Sequence, residues 1–148
     1  MLIPLTIGVL ILVANVIVQS AAVWMVVSYL ARKSGPHADR DDRLQGSVIL
    51  PGAMVLMFAG HLIQMGIWAI SFVALGEFEG LTPAFYHSAV NFTTLGYGDV
   101  VMSEHWRLLG ALEAGSGVLM FGVSTALFFA IITKLLERRR QQARGDRH

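Results

Sequence analysis

The sequence has no cysteine, so it offers no disulfide framework, no thiolate metal site and no cysteine nucleophile. Charge is also scarce. Asp, Glu, Lys and Arg make up 14% of the 148 residues, against roughly 25% in soluble domains. Hydrophobic residues reach 55%. Disorder, which needs low hydrophobicity and high net charge, is excluded, and a soluble enzyme is not expected. The histidines are scattered, no zinc, triad or other catalytic spacing appears, and nothing suggests a nucleic-acid partner. No span carries arginine at every third position, as a voltage sensor would. No cofactor is expected, and no nucleotide- or calcium-binding module follows the last span.

The gaps in charge define the organisation. Met1–Ala31 and Leu44–Gly76 hold no charged residue, and Leu108–Thr133 holds only Glu113. An apolar stretch of about 18 residues or more can cross a bilayer as a helix, so three spans are expected in an all-α membrane protein. The first is no cleaved signal, because it lacks a basic start and runs well beyond a signal's apolar core. Its boundaries are residues 1–31, and Asn15, Gln19 and Ser20 suggest a face packed on protein. Residues 32–47 read as a polar loop, with Ser34-Gly35-Pro36 as the break. Span two covers 48–76, with Pro51 in its first turn. Trp24, Tyr29 and Trp68 are placed as interfacial aromatics. His61 and Gln64, one turn apart, read as interhelical hydrogen-bonding groups.

A segment of about twelve residues, 82–93, is too short to span and reads as a re-entrant helix. Thr82 is its expected N-cap and Pro83 its first residue. Span three covers 106–136 and a basic tail covers 137–148. If the amino terminus faces outward, ten of the eleven Lys and Arg residues lie on one side, leaving Arg107 outside. The positive-inside rule then places the tail in the cytoplasm.

Between the short helix and span three lies irregular chain at membrane depth, which is tolerated only where it is buried in protein or lines a water-filled cavity. Gly96 and Gly98 alternate with bulkier residues in Thr94-Leu95-Gly96-Tyr97-Gly98 and permit backbone of mixed handedness. Successive carbonyls can then face one axis while Leu95 and Tyr97 point away. Four such loops would stack oxygen cages in place of a cation's water.

From Val48 to Leu136 the chain resembles the potassium-channel pore-loop family. Thr93-Thr94-Leu95-Gly96-Tyr97-Gly98-Asp99 stands where that family has its filter, with leucine for the commoner valine. The resemblance implies an outer helix over 48–76, a pore helix over 82–93, a filter over 94–98 and an inner helix over 106–136. It implies K+ as the permeant ion, coordinated at Thr94, Leu95, Gly96, Tyr97 and Gly98, in a pore shared with three identical subunits. Its small size and lack of appended domains suggest a multi-pass protein of a prokaryotic cell membrane. Thr93, Asp99, Tyr86, His87, Val90 and Asn91 would support the filter. Tyr86 would hydrogen-bond Asp99. His87 reads as a packing residue or a pH sensor. Val90 stands where some members carry a buried glutamate.

Glu113 lies roughly 10 Å below the outer surface at about 1.5 Å per residue, level with the filter. A carboxyl there must be paired or must face water. It could bond Ser88, Asn91 or a filter amide, or merely a neighbouring subunit's helix. Gly117 matches the family's gating hinge, with Gly115 and Gly122 as further candidates; close helix packing is an equal explanation. Ser116, Ser124 and Thr125 are candidates to line the cavity. Arg138, Arg139 and Arg140 read as a positive-inside anchor or a contact for anionic lipid. Span one belongs at the periphery. The functional alternatives are a non-conducting or modulatory subunit and a weakly selective cation channel.

Overall fold

The computed structural model describes residues 2–33 and 42–145. The centre of the expected first loop, 34–41, and residues 146–148 lie outside them. Four helices follow one another: α1 (Leu2–Lys33), α2 (Asp42–Ala74), α3 (Leu81–Phe92) and α4 (Arg107–Gly145). Among the described residues there is no strand. Among the described residues three helices are long and apolar enough to cross a membrane, namely Leu2–Ala31, Ile49–Ala74 and Arg107–Glu137. The protein is an all-α membrane protein.

The helices outrun the apolar windows that announced them. The backbone ladder depends on dihedral angles and not on hydropathy, so a polar turn extends a helix as readily as an apolar one. α2 starts at Asp42, not Val48, and α4 runs on to Gly145 through Glu137–Gln141, residues of good helix propensity. Pro51 consequently lies inside α2 and not in its first turn. It costs the ladder one N–H, which a membrane helix accommodates by local adjustment.

α2 ends two residues earlier than expected. Gly76 takes a left-handed φ of 77°, its N–H bonds Val73 O at 3.0 Å, and the Glu77 N–H bonds Phe72 O at 3.0 Å. This paired closure is a Schellman cap. At the start of α3 the cap is Gly80 and not Thr82, with extended backbone and no side-chain bond. Pro83 still falls in the first turn, where its missing N–H has no helical partner to lose.

The core has two parts. Near the loop that follows α3, Trp68, Phe72, Ala84, Phe92 and Leu109 are fully buried together. Further along, Ala22, Val26, Ala53, Met57 and Ile131 close α1 onto α2 and α4. Trp68 is therefore a core residue packed on Phe72 at 5.8 Å and not an interfacial one. The reason is register: it falls on the face of α2 that meets α3. Trp24 is 71% exposed, as an interfacial ring would be.

Buried polar groups fasten the three spans at mid-height. Gln64 Nε2 donates to Asn15 O and Gln19 Oε1, each at 3.1 Å. His61 Nδ1 meets Gln64 Oε1 at 3.0 Å, and its Nε2 meets Ser124 Oγ at 3.1 Å. Gln19 Nε2 donates to Ser124 Oγ at 3.1 Å. Asn15 and Gln19 thus face protein, whereas Ser20 is exposed and bonds back to Val16 O. Glycine permits a close approach of α1 to α4: a Cβ on Gly8 would lie 2.4 Å from Leu112 Cδ1.

Candidate functional site

The short helix α3 is held so that its carboxyl end delivers the chain into the loop. Its last carbonyls are closed by the loop's own amides. Thr94 N bonds Asn91 O at 2.8 Å, and Leu95 N bonds Val90 O at 2.9 Å. Thr94 has φ 59°, the left-handed position that Gly76 occupies at the end of α2. The same cap is built twice, once with glycine and once with threonine. A threonine in that region is strained by on the order of 1 kcal/mol. Gly96 N also reaches Val90 O, at 3.3 Å, so Val90 serves the loop through its carbonyl.

Beyond Thr94 the handedness alternates. Gly96 and Gly98 have φ of 58° and 72°, whereas Leu95 and Tyr97 between them have negative φ. Alternation of this kind turns successive peptide carbonyls toward a common side, a row of hard oxygens suited to a cation stripped of water. Thr93 through Asp99 are all exposed on the single chain.

Three side chains hold the segment after the loop. The Tyr86 hydroxyl donates to Asp99 Oδ2 at 2.7 Å, which raises the phenol's pKa because the bond and the carboxylate both favour the protonated form. His87 Nδ1 bonds Val100 O at 2.9 Å. Glu77 accepts from both Ser103 N and Ser103 Oγ, each at 2.7 Å. The Glu77 clamp went unread in the sequence. A hydroxyl residue shortly after the loop and an acidic turn before α3 were its signal, but separations of 26 residues leave no local pattern.

Behind the loop, Glu113 is fully buried. Ser88 Oγ contacts its Oε1 and also lies 2.9 Å from Met65 O. Asn91 Nδ2 lies 3.4 Å from Glu113 Oε2 and 2.9 Å from His87 Nε2. His87 packs against Phe72 and Phe78, with ring centroids 5.6 Å and 5.1 Å away. Both its nitrogens are engaged and burial pulls its pKa below the ordinary 6.5, so it packs and bonds. Glu113 reaches Ser88 and Asn91 but makes no bond to a loop amide.

A family model described as an ion channel matches residues 53–134, more than half of the chain. The chain belongs to this ion-channel family. No curated protein and no solved structure gives a significant match. The matched region takes in most of α2, all of α3, the loop and the apolar part of α4, and leaves α1 outside it.

In this channel the glycines of α4 divide. A Cβ on Gly117 would lie 1.9 Å from Phe92 O, so Gly117 is where α4 closes onto the end of α3. Gly115 and Gly122 have nothing within 4 Å. Ser116 is buried within the chain, Ser124 is buried but borders an apolar cleft with His61 and Phe121, and Thr125 is exposed and bonds Phe121 O at 2.9 Å. Their side-chain direction follows the turn of α4, which the sequence alone could not phase. Arg140 is exposed; the side chains of Arg138 and Arg139 lie outside those described.

Proposed function

We propose that four copies of this channel assemble around an axis into a potassium-selective pore. The carbonyls of Thr94, Leu95, Gly96 and Tyr97, with the Thr94 hydroxyl, take the place of water around K+, and Gly98 lets the chain leave the axis. The observation that carries this reading is the alternation of positive φ at Thr94, Gly96 and Gly98 with negative φ at Leu95 and Tyr97. Conduction is passive, down the electrochemical gradient.

One loop gives one quarter of each cage. A cyclic assembly supplies the rest and covers apolar surface that a lone chain leaves bare: Leu95 is 54% and Tyr97 67% exposed. α4 offers Val118, Leu119 and Val123 as further exposed surface. The carboxyl end of α3 carries the negative end of its helix dipole, which favours a cation nearby. The basic residues set the amino terminus outside and the tail in the cytoplasm, where Arg138, Arg139 and Arg140 would meet anionic headgroups.

Reconstitution into liposomes tests the reading. Potassium-loaded vesicles should show a flux that barium blocks and that sodium does not replace. Absence of flux would favour a non-conducting subunit of another channel. Equal flux of sodium would favour a weakly selective cation channel.

A further inference from the structure

The polar groups behind the loop form one continuous chain centred on Asn91. Asn91 Nδ2 carries two protons and faces two acceptors, His87 Nε2 at 2.9 Å and Glu113 Oε2 at 3.4 Å. If it donates to both, His87 Nε2 must be bare, and the imidazole proton sits on Nδ1, where Val100 O accepts it at 2.9 Å. The donors are thus fixed: Asn91 gives one proton to Glu113 and one to His87, and His87 gives its own to Val100 O, which links the inner helix to the peptide next to Asp99. Gly110 makes room for it: a Cβ there would stand 3.0 Å from Asn91 Nδ2.

Ser88 completes the chain at its inner end. Its hydroxyl has one proton and two acceptors in reach, Glu113 Oε1 and Met65 O. When the proton goes to Met65 O, Ser88 Oγ is free to accept from Glu113. The carboxyl is therefore held whether it gives or receives at Oε1, with Asn91 still bonded at Oε2.

We propose that Glu113 is a positioning residue for conduction, fixing the outer end of the pore loop through Asn91, His87 and the Val100 carbonyl. This rests on the reading of the loop as a potassium pore. It gives the inner helix a mechanical hold on the filter exit that does not pass through Asp99.

The donor count predicts which replacements work. In Glu113→Gln the amide oxygen accepts from Asn91 and the amide nitrogen donates to Ser88 Oγ, whose own proton turns to Met65 O. The chain is preserved. Glu113→Leu removes the acceptor at one end, and His87→Ala removes the donor at the other. Asn91 bonds both residues, and Ser88, next to His87 in α3, gives Glu113 a second contact there.

The test is a double-mutant cycle on the potassium-over-sodium permeability ratio of the full-length protein in liposomes. Glu113→Leu and His87→Ala should each lower the ratio by roughly threefold or more, and the double variant should fall no further than the worse single one. Glu113→Gln should stay within about twofold of the unmodified protein. Single effects that multiply, or a Gln variant as damaged as the Leu variant, would overturn the role. Nitrogen-15 spectra of the unmodified protein and Glu113→Gln in detergent need no leucine or alanine variant to fold. They should show His87 neutral with its proton on Nδ1, and a proton on Nε2 overturns the relay. A protein with that tautomer but no selective potassium flux sinks the pore reading and the role of Glu113 with it. Selective flux with multiplying effects sinks the relay alone.

Discussion

Glycine 117 and histidine 87 illustrate how much one position decides. With Phe92 O only 1.9 Å from where its Cβ would be, Gly117→Ala must push α4 away from α3. Overpacking of this kind costs about 1–3 kcal/mol. Gly115→Ala and Gly122→Ala meet nothing within 4 Å and should hold or slightly raise stability. Thermal unfolding in detergent separates the three. A Gly117→Ala protein as stable as the other two contradicts the packing.

Burial is the main reason the His87 imidazole sits below its ordinary pKa; the Val100 carbonyl and the charges of Asp99 and Glu77 pull the other way. The folded chain then binds fewer protons at this site than the unfolded one. Stability is intact above the ordinary value of 6.5 and is lost as the pH falls below it. The melting temperature should drop between about pH 8 and about pH 5, and drop less in His87→Gln. An equal drop in both proteins would contradict the burial account.

At the scale of the element, the three spans, the short helix and the loop were legible in the sequence because charge and length decide them. The ends of α3 and the start of α4 fell within a residue of expectation, but other ends did not. The start of α2 at Asp42 and the run of α4 to Gly145 follow from backbone continuity, which hydropathy does not report. The pairing of Tyr86 with Asp99 was legible from its place in the motif, and that of Ser88 with Glu113 from depth. Glu77 with Ser103 was hidden, since only the folded chain brings them together.

The protein-facing side of α1 was legible from Asn15 and Gln19, but their partners were not. Gln19 and Gln64 join it to α2 and α4 through Ser124 and His61. Interhelical bonds in membranes contribute about 0.6 kcal/mol each on average, up to roughly 2. Gln19→Leu should therefore lower stability by about 1 kcal/mol and speed proteolysis between α1 and α2. Unchanged unfolding and cleavage would mean that apolar packing alone holds α1.

For the whole molecule, the exposed Leu95 and Tyr97 require company. Cross-linking in detergent should yield a species of four chains, and Tyr97→Ala should weaken it. A stable monomer would leave the loop with no axis to serve. The most direct measurement is the reversal potential of the reconstituted protein with potassium on one side of a bilayer and sodium on the other. A potassium-selective pore gives a value close to that of a membrane permeable to potassium alone. A reversal near zero, with both ions carrying current, would contradict it.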